Sequence, residues 1–433
     1  MDSPLLKQKP SRESSDISLW RMASAGNVSV VEKVLNTDLF AIALAIFVIL
    51  PFLEPWSAES VSDSGFLAPV SGWIVNVTTF IRASISIFSF LLLIKFRTNW
   101  DYVLFPVLFS FGCVASLAVN GDLSISQIAT PVQYAGFTIL LIYLYDTNRK
   151  KLIQALLLSF FLLVAMALVT VFAMGGIIHS DSAAGVIYSF GGKNSLFVTL
   201  VPFVSLLGVK LAKGGRSSFA PFAVSLGFAV LSRIVDSSGS LVCFLALAIL
   251  LLPIGSDYLI QKINTKVIIA AIVFLFFGTV ATSAITDSFD TVFSLLGRDS
   301  NFTNRDTLWG QAIARFFESP VFGVGTSRVF ELDFMLESVS TSIAHCYYLD
   351  IAAKYGLLAL VPFVLDACFL LWRCRVRKLQ AAFVPAMAVF SVIALHSCYD
   401  DLLLYFYAVA RVLAYAALKE QKGASEARND VAR

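Results

Sequence analysis

An all-α polytopic membrane protein of about twelve transmembrane helices, with one long outer loop containing an amphipathic helix, is the fold class this sequence predicts. Three observations predict it. The 433 residues are 58% hydrophobic and 14% charged, with a mean hydropathy of +0.81, which excludes an ordinary soluble globular protein. Apolar runs of helical length recur along the whole chain and leave no stretch for a separate soluble domain. Basic residues gather in alternate loops, as a fixed membrane orientation requires.

Residues 1–36 are polar, carry Lys7, Lys9, Arg12, Arg21 and Lys33, and lack the apolar core and cleavage site of a signal peptide, so they read as a cytoplasmic tail. The integral membrane domain spans 37–418 and a second cytoplasmic tail 419–433. Spans are placed at 39–53, 74–94, 102–119, 128–145, 152–174, 195–211, 219–235, 239–254, 267–284, 346–371, 380–397 and 402–418. The first is followed by Glu54, Glu59 and Asp63 with no Lys or Arg, which puts that loop outside. The inside loops then hold Lys95 and Arg97, Arg149 to Lys151, Lys210 to Arg216, Lys262 and Lys266, and Arg373 to Lys378, so both termini are inside.

The remaining basic residues are Arg82, Lys193, Arg233, Arg298, Arg305, Arg315, Arg328, Lys354 and Arg411, and all but Arg411 map to the outer half. The three histidines, His179, His345 and His396, map there too. Ionisable groups at membrane depth are costly and are paired or functional, so the working face is outside. Arg411 and Asp366 fall at similar depth in the last and tenth spans, and a structural ion pair between them is expected.

With a net charge of +3 and scattered basic residues, the chain carries no nucleic-acid footprint. The six cysteines show no CxxC pair and no metal spacing, although a bridge between Cys346 and Cys398 stays open. No cofactor motif is present.

The long loop, 285–345, exceeds the usual connection length and is therefore functional or disordered. From Asp306 to Glu318 the residues Leu308, Trp309, Ala312, Ile313, Phe316 and Phe317 recur at helical spacing, which predicts an amphipathic helix lying on the membrane interface or over a cavity. Thr303 or Asn304 caps it, and Pro320, Gly323 and Gly325 end it.

Arg305 falls at the helix start, where free backbone N–H groups favour an anion, and Arg298 lies seven residues earlier. Two guanidinium forks suit a phosphate clamp. Binding to lipid headgroups or to Asp299, Asp306 and Glu331 is the bland alternative. His345, at the outer start of the next span, is a candidate general base or an ordinary capping residue. Arg233 either reaches the outer cavity or pairs with Asp236. Arg315 reads as structural. Arg328 follows a glycine-rich turn that aims it either way, and it joins the candidate substrate-binding residues with Arg233, Tyr348 and Trp309. No acidic pair in the loop suggests a divalent cation, and Asp400 with Asp401 is the one alternative place for it.

The succession of Ser232-Arg233, Ser238-Gly239-Ser240, Gly297-Arg298, Arg305, Leu308-Trp309, Ser319-Pro320, Gly323-Val324-Gly325, His345, Tyr348-Leu349 and Gly356 resembles the O-antigen ligase and polymerase superfamily. Within it the likeness is nearest to bacterial exopolysaccharide polymerases of the succinoglycan type. The resemblance implies a metal-independent GT-C-like glycosyltransferase at the periplasmic face of the bacterial inner membrane. Its donor would be an oligosaccharide on a polyprenyl diphosphate (undecaprenyl diphosphate), and its partners the lipid bilayer and the chain-length and export proteins of the polysaccharide pathway. Arg305 and Arg298 would hold the diphosphate with Arg233, and His345 would act as base. Where the family often has Asn after that histidine, this chain has Cys346.

Three other functions compete. An O-antigen ligase would pass the chain to a lipid A core. A polysaccharide or lipid transporter would show paired halves and midplane coupling charges, and this chain shows one asymmetric loop instead. A scaffold without chemistry would tolerate loss of His345.

Overall fold

The structure, a computed structural model, describes residues 39–53, 68–95, 100–179, 186–211, 217–282, 305–328, 330–334, 337–341, 343–374, 376 and 379–431. Arg298 and the tail at 1–36 lie outside the described residues.

Helices dominate because the apolar runs must satisfy every backbone group internally. They are α1 (Leu39–Leu44, continued by a π-helical turn Ala45–Ile49), α2 (Ala68–Lys95), α3 (Trp100–Val119), α4 (Ile125–Phe172), α5 (Leu196–Leu211), α6 (Phe219–Ile234), α7 (Ser238–Leu250), α8 (Thr265–Thr282), α9 (Arg305–Glu318), α10 (Tyr347–Arg373), α11 (Val384–His396) and α12 (Leu404–Val431). α4 bends where Asn148 leaves helical geometry. At ~1.5 Å per residue its length is about twice a hydrocarbon core, so it supplies the fourth and fifth predicted segments.

Among the described residues five helices are long and apolar enough to cross a membrane, within Asn76–Leu93, Trp100–Val119, Ile125–Phe172, Lys193–Leu211 and Tyr347–Arg373, and shorter apolar helices accompany them. α3 packs along α10, α4 lies against α2, α3 and α12, and α5 lies against α6 and α11. The middle of α12, from Phe406 to Leu418, is buried throughout. This helix continues to Val431, past the expected end of the last span at 418.

Three small antiparallel sheets were not anticipated by the apolar pattern. They are β1 (Ile178–His179), β2 (Val186–Tyr188) and β3 (Gly191–Gly192), then β4 (Pro253–Ile254) with β5 (Asp257–Tyr258), and β6 (Phe330–Phe334) with β7 (Glu337–Thr341). The last pair registers Phe330 against Thr341 and Phe334 against Glu337, inside what the sequence suggested was plain loop.

The amphipathic helix is present as α9. Leu308, Trp309 and Ala312 are its buried face, and it packs on α10 and β6. The turn that follows is built into α10. α10 breaks at Gly356 (φ 66°, ψ −167°), and the freed groups are taken up by residues 320–325. Val324 and Gly325 donate to the carbonyls of Ala353 and Lys354 at 2.9 and 3.0 Å, while Leu357 and Leu358 donate to Pro320 and Val321 at 2.8 and 3.1 Å. The backbones approach so closely that a Cβ on Gly323 would lie 2.4 Å from the Lys354 carbonyl, and one on Gly356 2.3 Å from that of Val321. Both glycines have φ +66°.

Arg411 and Asp366 form the expected pair. Nε and Nη2 donate to the two carboxylate oxygens at 2.6 and 2.7 Å, and the side chains are 0% and 2% exposed. Nη2 also donates to the carbonyl of Tyr102, which ties α12, α10 and α3 together. All six cysteines are free thiols, so Cys346 and Cys398 are not bridged.

Two outcomes follow from this packing. Arg411→Ala leaves a buried carboxylate alone and is expected to cost about 3–5 kcal/mol in detergent unfolding, much of it recovered in Arg411→Met/Asp366→Leu. Gly323→Ala forces backbone apart in a left-handed conformation and is expected to cost more than about 1 kcal/mol, with faster proteolysis after α9.

Candidate active site

The site forms where the start of α10 meets the turn between α11 and α12. Tyr347 N–H donates to the carbonyl of Ser397 at 2.9 Å, which joins the two segments. Tyr399 and Asp400 both donate to the carbonyl of His396 at 3.0 Å, so the chain leaves α11 in a tight turn with the Asp400 side chain pointing inward, 5% exposed.

Asp400 faces two of the predicted residues. Its Oδ2 lies 3.6 Å from Nη2 of Arg305, and its Oδ1 lies 3.6 Å from Nδ1 of His345. Arg305, the first residue of α9, also donates to the carbonyl of Tyr399. Its side chain is only 12% exposed. Burial pushes the Asp400 carboxyl up, but the Arg305 guanidinium, the imidazole of His345 and the neighbouring His396 outweigh it and hold Asp400 well below the usual carboxylate range. It is therefore a fixed anion between a fixed cation and an imidazole.

His345 itself has φ +50°, in the left-handed region that a side chain with a Cβ rarely occupies. Such strain concentrates at functional sites. The buried residues Ala344 and Cys346 clamp it on either side. Its Nδ1 is buried toward Asp400, while the ring as a whole is 31% exposed, so the opposite edge is the accessible one. Asp401, beside it, has its carboxyl raised by burial and then by the charges of Asp400 and Asp350. Asp350 does not pair with His345; it accepts from Ala344 N–H at 3.2 Å and from Lys354 Nζ at 2.8 Å.

Arg233 and Arg328 are engaged in ion pairs of their own. Arg233 is 76% exposed and sits 3.5 Å from Asp236, which Lys193 also approaches at 3.5 Å. Arg328 pairs with Glu318 at 2.6 Å, and Arg315 lies over the Phe330 ring and donates to the Arg328 carbonyl at 3.0 Å. Trp309 is 0% exposed in the α9 interface. The Tyr348 hydroxyl donates to the carbonyl of Ala394 at 3.3 Å. His396 is 1% exposed and stacks on Phe197 with ring centroids 5.1 Å apart. His179 is placed by its backbone in β1.

Sequence reasoning named Asp400 only as an alternative metal ligand. Its position 55 residues after His345 gives no local signal, and an acid next to a span end is the sole hint. Among the described residues His345, Asp400 and Asp401 do bring potential ligand atoms within 4.8 Å of one another. Arg305 against Asp400 opposes a cation there, since the guanidinium already neutralises the carboxylate.

An arginine at a helix start, a carboxylate behind it and a strained histidine with one open edge can together hold an anionic leaving group and accept a proton. No curated protein and no solved structure matches the chain. Residues 201–364, from α5 to just beyond the Gly356 break and including Arg305 and His345, match the family model described as O-antigen ligase, and this match supports the O-antigen ligase and polymerase superfamily.

Proposed function

We propose that the chain is a membrane glycosyltransferase that polymerises polyprenyl-diphosphate-linked oligosaccharide repeat units into exopolysaccharide at the periplasmic face, with both termini in the cytoplasm. The observation that carries this is the placing of Arg305 and His345 on one buried carboxylate, Asp400.

The chemistry follows from that placing. The charge of Asp400, 3.6 Å from Nδ1 and so an electrostatic rather than a hydrogen-bonded neighbour, favours a proton on that nitrogen and leaves Nε2 to accept. The acceptor hydroxyl attacks the anomeric carbon, its proton passes to Nε2 of His345, and the bond to the diphosphate breaks. Polyprenyl diphosphate leaves with the bonding pair. Arg305 stands where that negative charge develops; its contact with Asp400 at 3.6 Å is too long for a strong hydrogen bond and leaves donors for phosphate. Arg298 and Arg233 complete the diphosphate site in this reading, with Arg328 and Tyr348 as supporting residues, while the fully buried Trp309 holds α9 in place. A single displacement inverts the anomeric centre.

The superfamily description itself favours a second reading, in which the acceptor is a lipid A core. The two differ only in the acceptor, and the products tell them apart.

Purified protein incubated with a lipid-linked repeat unit in EDTA is expected to yield dimers and longer products. Loss of product that Mg²⁺ or Mn²⁺ restores would instead put a cation on His345, Asp400 and Asp401. His345→Ala is expected to lower turnover by roughly 10²–10⁴-fold. Full-length polymer from a normally inserted His345→Ala protein would end the assignment. Asp400→Asn keeps the shape but removes the charge that orients both partners, and its rate is expected to fall between the wild type and His345→Ala.

A further inference from the structure

The first turn of α10 divides two compartments. Tyr348 faces an apolar groove of about 270 Å³ against Ile269, Ile272 and Phe276 of α8. Tyr347 and Asp350 face a second cavity, of about 630 Å³, bounded by α2, α3, α4, the turn after β3 and the start of α12. Its volume is that of a small-ligand site.

We propose that this second cavity, lined by Arg82, Asp350, Tyr347, Tyr355, Phe190 and Tyr405, binds the acceptor as a hydroxyl-rich glycan. The assignment rests on the glycosyltransferase reading above and names the acceptor half of that site. Continuity is the first argument. The cavity wall is made by 347–355 and 402–406, the segments that immediately follow His345 and Asp400 with Asp401. Asp350 also holds the backbone N–H of Ala344, next to His345. The proposal brings a sugar hydroxyl from this cavity to the base, which lies two residues before Tyr347 in the chain.

Charge is the second. One guanidinium and one carboxylate line the cavity, a mixed lining rather than the clustered cations that suit a diphosphate. Neutral hydroxyls take hydrogen bonds from the one and give them to the other. The third is the aromatic lining, whose faces pack against the C–H faces of a sugar ring while Thr79, Thr130 and Ser195 offer hydroxyls at the edges. Arg82 is held for such a task. Its Nε donates to the carbonyl of Pro51 at 2.5 Å, and its guanidinium lies 5.6 Å from the Tyr405 ring, whose hydroxyl donates to Gln133 at 2.8 Å. An arginine inside an apolar helix such as α2 is kept for function or pairing.

The test uses the full chain in lipid nanodiscs and, as probe, lipid-free oligosaccharides cut from the polysaccharide of the producing cell. Saturable binding is expected in wild type and in His345→Ala, with affinity reduced about tenfold or more in Arg82→Gln, the worth of a charged hydrogen bond. Gly192→Trp fills the cavity from a position where an added Cβ meets nothing within 4 Å, and it is expected to block binding without disturbing the fold. No binding by wild type, or equal binding in Gly192→Trp, overturns the proposal. If the probe binds as expected while His345→Ala still polymerises, the catalytic reading fails and the cavity assignment stands. The reverse pair of results sinks the cavity assignment alone.

Discussion

Between Ala353 and Leu358 the backbone of α10 makes four hydrogen bonds to the turn after α9 rather than to itself. In an apolar setting each unpaired backbone group costs several kcal/mol, so a helix broken there needs partners supplied from elsewhere. Pro320, Val321, Val324 and Gly325 supply them. The C-terminal end of α3 joins the same seam. Ser116 donates to the carbonyls of Phe322 and Lys354, and Asp122 accepts from Thr326 and Ser327 at 2.7 and 3.1 Å. The site depends on this seam, because it locks α9, which begins with Arg305, against α10, which begins just after His345.

Asp400 is the second constraint. A buried carboxylate is costly unless its charge is answered, and Arg305 and His345 answer it from two different elements. The arrangement therefore serves stability and chemistry together: the cation that would meet phosphate and the imidazole that would take a proton are spaced by one anion. Beyond it, Asp401 and the Asp350–Lys354 pair carry polar character from this hub to the wall of the larger cavity. An apolar groove and a mixed polar and aromatic cavity thus lie on opposite sides of one helical turn.

Much of the architecture was legible in the sequence, because helical spacing and apolar runs are local signals. The α9 pattern, with Leu308, Trp309 and Ala312 on one face, predicted a helix within one residue of its start. The Arg411–Asp366 pair was legible too, since two lone charges at equal depth must find each other. The β6–β7 hairpin was not, although Phe330, Leu332 and Phe334 alternate, because the long-loop reading set no register. Nor was the seam. Gly323 and Gly325 stood out as turn signals and Gly356 only in the family resemblance; a Cβ on Gly323 or Gly356 would meet backbone, and one on Gly325 the Asp122 carboxylate.

By itself the sequence determined that the chain is a helical membrane protein, and it marked Arg305 and His345 as candidate site residues. Those properties follow from composition, period and residue type, each readable within a few turns of chain. The tertiary structure decided that Asp400 stands between them, that Arg233 and Arg328 rest on Asp236 and Glu318, and that Tyr347 and Tyr348 face different compartments. Contacts across tens or hundreds of residues are set by how helices pack and break, and no local pattern encodes them.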